Sequence, residues 1–155
     1  MKPKPIESKL ETLPLVSILM NCFNGEKYIR EAIDSVTEQT YTNWELIFWD
    51  NQSTDNSASI VKSYNDPRIK YYYAPTHTLL YEARNYALGK TSGELIAFID
   101  VDDCWTPEKL KLQVPVFLDP AVGISASNYW IEQKLKNKIS LAHTKPMPSG
   151  KVLDT

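Results

Sequence analysis

The stretch Glu94–Leu110, "ELIAFIDVDDCWTPEKL", sets an apolar run directly before three acids, Asp100, Asp102 and Asp103. The run reads as a strand that should be buried, and it ends on like charges that repel one another. Carboxylates in that position are either solvated turn residues that cap the following helix, or ligands waiting for a positive partner. In "TPEKLKLQ", Thr106 suits an N-cap, Pro107 the first helical position and Glu108 the first turn, so a helix is expected to start there.

The chain upstream repeats this plan. "PLVSILMN" and "NWELIFWD" are short, continuously apolar runs, the pattern of strands covered on both faces. Between them "EKYIREAIDSVTEQT" puts Tyr28, Ile29, Ala32, Ile33 and Val36 on one helical face. "NQSTDNSASIVKSY" supplies turn and cap residues, then a short helix expected to bury Ile60 and Val61. "RIKYYYA" is a third strand, nearer an edge because polar residues flank it. "LLYEARNYALGKT" is a helix with Gly89 and Gly93 as stop signals. "VGISASNYWIEQ" and "KISLAH" are further strand candidates. Strands alternating with helices predict an α/β fold, with a mostly parallel sheet wrapped on both faces through right-handed crossovers. Ligands of such sheets bind outside the carboxyl ends of the strands, where strand order reverses. Asn21–Asn24, Asp50–Asp55 and Asp100–Asp103 would all lie on that rim.

Bulk properties exclude several classes. The chain has 155 residues, 43% of them apolar, enough for one domain with a real core. A formal net charge of −2 gives no basic footprint for nucleic acid or an anionic membrane. "MKPKPIESKLETLP" has no apolar signal core, so residues 1–13 are expected to be a flexible lead-in to a domain over 14–155. No apolar run is long enough for a transmembrane segment. Two cysteines, Cys22 and Cys104, make no disulfide framework, and a reducing cytoplasm is the expected setting. His77 and His143 lack metal-ligand spacing, and no phosphate-cradling glycine motif is present. Acidic neighbours would raise the pKa of Cys104 and make it a poor nucleophile.

The acids therefore carry the chemistry. Hard carboxylate oxygens suit Mg²⁺ or Mn²⁺, and one or two carboxylates plus substrate phosphates is the usual arrangement for Mg²⁺. Asp50 ends an equally apolar strand and can accept from a base N–H or a ribose hydroxyl, or merely form a turn. Arg84 faces either phosphates or solvent. Phe23 either stacks on a base or joins the core.

Taken together, "VSILMNCFNGEKYIREAIDSVTEQTYTNWELIFWDNQSTDNS" and "YEARNYALGKTSGELIAFIDVDDCWTPEKL" resemble the inverting family 2 glycosyltransferases. Those enzymes have a GT-A fold, a Rossmann-like three-layer sandwich, and use nucleotide-sugar donors. The resemblance runs from Leu15 to Gln113 and includes "D-x-x-S-T-D" from Asp50, "A-R-N" from Ala83 and "D-x-D-D-x-W-x-P-x-K-L" from Asp100. It implies that Asn21, Cys22 and Phe23 cradle the nucleoside, with Phe23 stacking on the base. It implies that Asp50 binds the base, that Arg84 lies near base and phosphates, and that Asp100 lies near the ribose. Asp102 would hold the metal, Mg²⁺ or Mn²⁺, with Asp103 as an additional acid.

The sequence departs from the family pattern at Asn21, where proline is frequent, and at Asn51-Gln52, where Asp-Gly is frequent. The resemblance also implies a catalytic base in an acidic motif well beyond the Asp-x-Asp. Asp119, Glu132 and Asp154 do not match that motif, so the base is expected beyond Thr155 and the sheet is expected to be incomplete at the C-terminus. Two functions are compatible with this pattern. One is the donor-binding half of a glycosyltransferase of cell-surface polysaccharide or glycan synthesis, favouring a UDP-sugar donor and a saccharide or lipid-linked acceptor. The other is a non-catalytic nucleotide- or sugar-binding module acting with another chain. Either would work in the cytoplasm or peripherally at the inner membrane face. Uncovered apolar surface would favour self-association.

Overall fold

The computed structural model describes residues 13–127, 129–133 and 138–142. Residues 1–12 of the expected lead-in over 1–13, together with His143 and Asp154, lie outside the described residues. The described chain falls into two compact units divided between Lys111 and Leu112.

The first unit holds four parallel strands: β1 (Val16–Cys22), β2 (Trp44–Asp50), β3 (Ile69–Tyr73) and β4 (Leu95–Phe98), in the order β3-β2-β1-β4. Helices α1 (Ile29–Thr37), α2 (Ser57–Lys62) and α3 (Leu80–Leu88) connect them in turn, and α4 (Lys109–Gln113) follows β4. From β1 to β3 the chain steps one way, and the step from β3 to β4 returns past β1. Right-handed crossovers then put α1 and α2 on one face and α3 on the other, a three-layer arrangement.

β1 and β2 are buried almost throughout, as their continuous apolar runs predict. α1 buries Ile29, Ala32, Ile33 and Val36, the face read from its periodicity. Beneath α3, Leu19, Ile47 and Trp49 pack against Ala83, Ala87 and Ala74. Small alanines let the helix approach the sheet, and the larger strand residues fill the space.

Four expectations are corrected. The β4 run is not buried on both faces: Ile96 is 38% and Phe98 53% exposed. Among the described residues β4 is bonded only to β1, so it is an outer strand with one face uncovered. Gly93 does not stop a helix. α3 ends at Leu88 with Gly89 as its cap, and a Cβ on Gly93 would lie 2.5 Å from the Leu15 carbonyl oxygen and 2.8 Å from the Ser17 nitrogen. Thr106 and Pro107 do not open α4. The Lys109 N–H donates to the Thr106 carbonyl in a turn, the Pro107 carbonyl accepts from the Thr40 N–H, and the helix begins at Lys109. Ile60 is half-buried, and Val61 alone of that pair is fully buried.

A carboxylate fixes the amino ends of the strands. Glu45 on β2 is 4% exposed and accepts from the Ser17 hydroxyl of β1 at 2.5 Å and the Lys70 ammonium of β3 at 2.5 Å. It also accepts from the Ser92 N–H and hydroxyl, at 2.7 and 2.9 Å, in the turn before β4. The Gly93 N–H closes the circuit on the Ser17 hydroxyl oxygen at 2.8 Å. Burial pushes the Glu45 pKa up, but Lys70, Ser17 and Ser92 outweigh it and hold it at about 2.

In the second unit a 3-10 helix covers Val114–Leu118, and β5 (Trp130–Gln133) pairs antiparallel with β6 (Lys138–Leu141). The expected strand from Val122 is therefore confined, among the described residues, to its last four positions. No described helix is long and apolar enough to cross a membrane.

Because the Glu45 pKa is lowered from 4.5 to about 2, its contribution is present above pH ~4.5 and is lost as pH falls toward ~2. Glu45→Gln is expected to cost about 2 kcal/mol at pH 7 and to flatten that acid limb, read by urea unfolding across pH. Gly93→Ala is expected to destabilise by a similar amount, because backbone rather than a flexible side chain blocks the methyl.

Candidate functional site

Strand order reverses at β1, between β2 and β4, and the carboxyl ends of these strands bring the expected site residues to one rim. Asn21, Cys22 and Phe23 leave β1, Asp50 ends β2, and Asp100, Asp102 and Asp103 follow β4.

Two loops on this rim are stitched together. The Asn24 N–H donates to the Ser53 hydroxyl at 3.0 Å, and the Thr54 N–H donates back to Asn24 Oδ1 at 2.8 Å. The Glu26 N–H donates to Asp55 Oδ2 at 2.9 Å, while the Asn56 N–H and side-chain amide donate to Glu26 Oε2 at 2.9 and 2.8 Å. The Gly25 N–H reaches the Ser57 hydroxyl at 2.9 Å. Asn24 takes a left-handed φ of 54° within this exchange, a conformation asparagine tolerates. Gly25 is required by space: a Cβ there would stand 2.8 Å from Cys22 Sγ and 3.3 Å from Val101 Cγ2. Val101 lies between Asp100 and Asp102, so the loop after β1 rests on the acidic turn.

Asp50 is fully buried, with Oδ1 accepting from the Ser53 N–H at 2.7 Å and Oδ2 from the Tyr71 hydroxyl at 2.6 Å. Burial, then the adjacent Asp50 carboxylate, pushes the Tyr71 phenol pKa up. Each Asp50 oxygen keeps a second lone pair. Cys22 is buried, with its Sγ 3.6 Å from the Ser57 and 3.8 Å from the Ser53 hydroxyl. Burial raises its thiol pKa. It packs inside the rim, and neither it nor Cys104 is in a disulfide. The Asn21 side-chain nitrogen is buried without a hydrogen-bond partner.

Phe23 is 52% exposed, outside the core. Arg84 on α3 donates to Asp100 Oδ1 at 2.8 Å, and its guanidinium carbon lies 5.8 Å from the Phe98 ring centroid. Both partners of the ion pair are part-exposed, so the pair adds little stability and is easily shared with a ligand. Asp102 and Asp103 are exposed. Partial burial, then the charges of Asp102 and Asp100, raise the Asp103 carboxyl pKa above its ordinary value. The three acids do not close into a cluster of three metal-ligating side chains among the described residues.

Two rim residues escaped the sequence reading. His77, in the loop before α3, places its ring 4.4 Å from that of Phe23 and its Nδ1 2.8 Å from the Asn51 carbonyl. The buried Asn51 side chain donates to the Thr78 carbonyl at 2.7 Å and accepts from the Thr78 N–H at 3.1 Å. Asn51 marked only a departure from the family pattern, and no local signal announced a partner 26 residues away.

Residues 17–152 match the family model described as glycosyl transferase family 2. The chain belongs to that family. It is 41% identical over 117 residues to an Escherichia coli UDP-Glc:alpha-D-GlcNAc-diphosphoundecaprenol beta-1,3-glucosyltransferase, covering 76% of this chain and 46% of that enzyme. The chain thus spans about half the length of the curated relatives it matches. Other relatives are named for teichuronic and colanic acid biosynthesis. S. aureus TarS 1–349, solved with UDP-GlcNAc, superposes with a TM-score of 0.61 at 31% identity, over 68% of this chain and 31% of TarS. Mannosyltransferase PcManGT from Pyrobaculum calidifontis, solved with GDP-Man and Mn²⁺, gives 0.68 at 27% identity, over 73% of this chain and 35% of that enzyme. The fold is that of the GT-A glycosyltransferases.

Removing either partner of the Asp50 pair should expose its structural weight. Tyr71→Phe leaves one buried oxygen without its donor and is expected to cost about 1–2 kcal/mol. Asp50→Ala leaves two donors unpaired and is expected to cost more, about 2–3 kcal/mol, both read as shifts in the urea midpoint.

Proposed function

We propose that this chain is the donor-binding part of a glycosyltransferase that moves a sugar from a nucleoside-diphosphate sugar to an acceptor in polysaccharide or glycan synthesis. The observation carrying this reading is the meeting, on one rim, of an exposed aromatic ring, a buried strand-end carboxylate, an arginine–aspartate pair and two further acids. Phe23 stacks on the base beside Asn21 and Cys22. Asp50 reads the base through its remaining lone pairs. Asp100 serves the ribose, and Arg84 turns from Asp100 toward the diphosphate.

Asp102, joined by Asp103, is assigned to a divalent ion, Mg²⁺ or Mn²⁺. The donor set suits such an ion. The oxygens are hard, burial and then the charges of Asp102 and Asp100 raise the Asp103 carboxyl pKa, and the carboxylates are too few for an all-protein cage among the described residues. That leaves coordination positions for phosphate oxygens and water. When bound, the ion would stabilise as a Lewis acid the charge on the departing nucleoside diphosphate. The residues of this chain bind and orient the donor, while deprotonation of the acceptor hydroxyl needs a carboxylate base that none of them matches.

A UDP-sugar is the favoured donor, in line with the UDP-glucose and UDP-GlcNAc named for two similar proteins. The acceptor is read as a saccharide or a lipid-linked saccharide, in line with the diphosphoundecaprenol-linked sugar in one relative's name. Such an acceptor fits cytoplasmic action at the inner membrane face.

Melting curves with UDP, GDP, TDP and CMP, each with and without Mn²⁺, test the donor reading. One nucleotide and the metal together are expected to raise the midpoint by about 5–10 °C at a hundredfold excess over Kd. Asp102→Ala is expected to remove that shift. No shift from a folded sample refutes the reading. A shift without sugar transfer to any acceptor, even in the presence of the chain's natural partners, would favour a binding module instead.

The uncovered face also supports self-association. Leu80, Tyr81, Leu88, Ile96 and Phe98 are all exposed, and β4 has a free edge among the described residues. Sedimentation is expected to show a concentration-dependent dimer or larger species that Ile96→Lys shifts toward monomer. A monomer at all concentrations contradicts this.

A further inference from the structure

We propose that His77 is a specificity residue of the donor site, its Nε2 accepting a hydrogen bond from an N–H or O–H of the nucleoside that Phe23 stacks against. The inference rests on the donor-site reading above and adds a residue that the family pattern does not supply. A carbonyl oxygen can only accept, so the 2.8 Å contact between His77 Nδ1 and the Asn51 carbonyl places a hydrogen on Nδ1. That tautomer carries its bare lone pair on Nε2, on the side away from Asn51.

The ring is also held in place. Its centroid lies 4.4 Å from that of Phe23 with the planes tilted by 58°, a direct ring–ring contact. Asn51, itself 6% exposed, clamps the backbone of the next residue, Thr78, from both sides. Both rings are exposed, and the His77 ring is bonded to Asn51, the residue that follows the end of β2. An exposed histidine fixed in one tautomer, next to an exposed aromatic face, offers one acceptor edge and one stacking surface. A nucleoside has the matching pair, a planar ring and polar hydrogens. Asp50 and His77 would then both accept from the nucleoside, which favours bases and sugars rich in donors on that side.

Titration calorimetry with the four nucleotides and Mn²⁺ tests this. His77→Phe keeps the ring and loses the acceptor, and is expected to bind the preferred nucleotide about 5–10-fold more weakly. His77→Gln, whose amide retains an acceptor, is expected to recover most of that loss. The 2′-deoxy and N3-methyl forms of the preferred nucleotide, where such forms exist, identify the hydrogen involved: the modification that removes the hydrogen taken by His77 should weaken wild-type binding by a larger factor than it weakens His77→Phe. If the wild type binds, Asp102→Ala does not, and both His77→Phe and His77→Ala bind within twofold of wild type, the proposal fails while the donor reading stands. A lowered melting temperature with unchanged Kd assigns His77 a merely structural role and also overturns it. If folded wild type binds no nucleotide, the donor reading fails and takes the proposal with it.

Discussion

The four-stranded sheet depends on one buried carboxylate. Glu45 accepts hydrogen bonds from β1, from β3 and from the turn that enters β4, so a single side chain on β2 specifies which strands are neighbours. An ionised carboxylate buried without such partners would cost several kcal/mol, so alternative strand orders that leave it unpaired are disfavoured. Gly93 belongs to the same constraint, since only a residue without a Cβ lets that turn lie against the β1 backbone. The network sits at the amino ends of the strands and leaves the opposite rim for polar and charged groups that serve a ligand.

At that rim the cross-loop bonds between the β1 and β2 loops do the corresponding work. All but the buried Gly25–Ser57 bond are exposed, and each is individually weak, but together they hold Asn24, Gly25 and Glu26 against Ser53, Asp55, Asn56 and Ser57 without requiring a ligand. Preorganisation of this kind lowers the ordering cost that binding would otherwise meet. The acidic turn behaves differently. Its charges repel, and among the described residues only Asp100 has a cation in salt-bridge contact, through Arg84. On the proposed reading that unrelieved charge is the part of the site that a cation completes.

How much of this was legible depended on the range of the interaction. β1 and β2 are covered on both faces, and their sequences say so without interruption. β4 reads the same way, yet its outer position leaves Ile96 and Phe98 exposed, because composition records what a strand would bury and not whether a neighbour is present. Pro107 signalled a helix start but instead lends its carbonyl to Thr40, a contact 67 residues away in sequence. The carboxylates of the rim were readable because each follows a strand. His77 was not, since its meaning comes from Phe23 and Asn51 on two other loops. Gln52 is intermediate: its left-handed φ of 69° explains why glycine is frequent at that place in the family, and the glutamine holds it at a local cost of about 1 kcal/mol.

The strand order carries a last consequence for the division of labour. Every residue assigned to the donor comes from β1, β2, β4 or α3, or from the loops beside them, all before Lys111. The nucleoside and diphosphate contacts are therefore built within one compact unit whose strand neighbours are fixed by Glu45 and whose loops are fixed by each other. Recognition of the donor on this reading needs no residue from the second unit. Acceptor choice is then free to vary in whatever covers the open face of β4 and α3 without disturbing the donor geometry. That separation fits a family whose similar members, across less than half of their length, share this unit while being named for different sugars and different polymers.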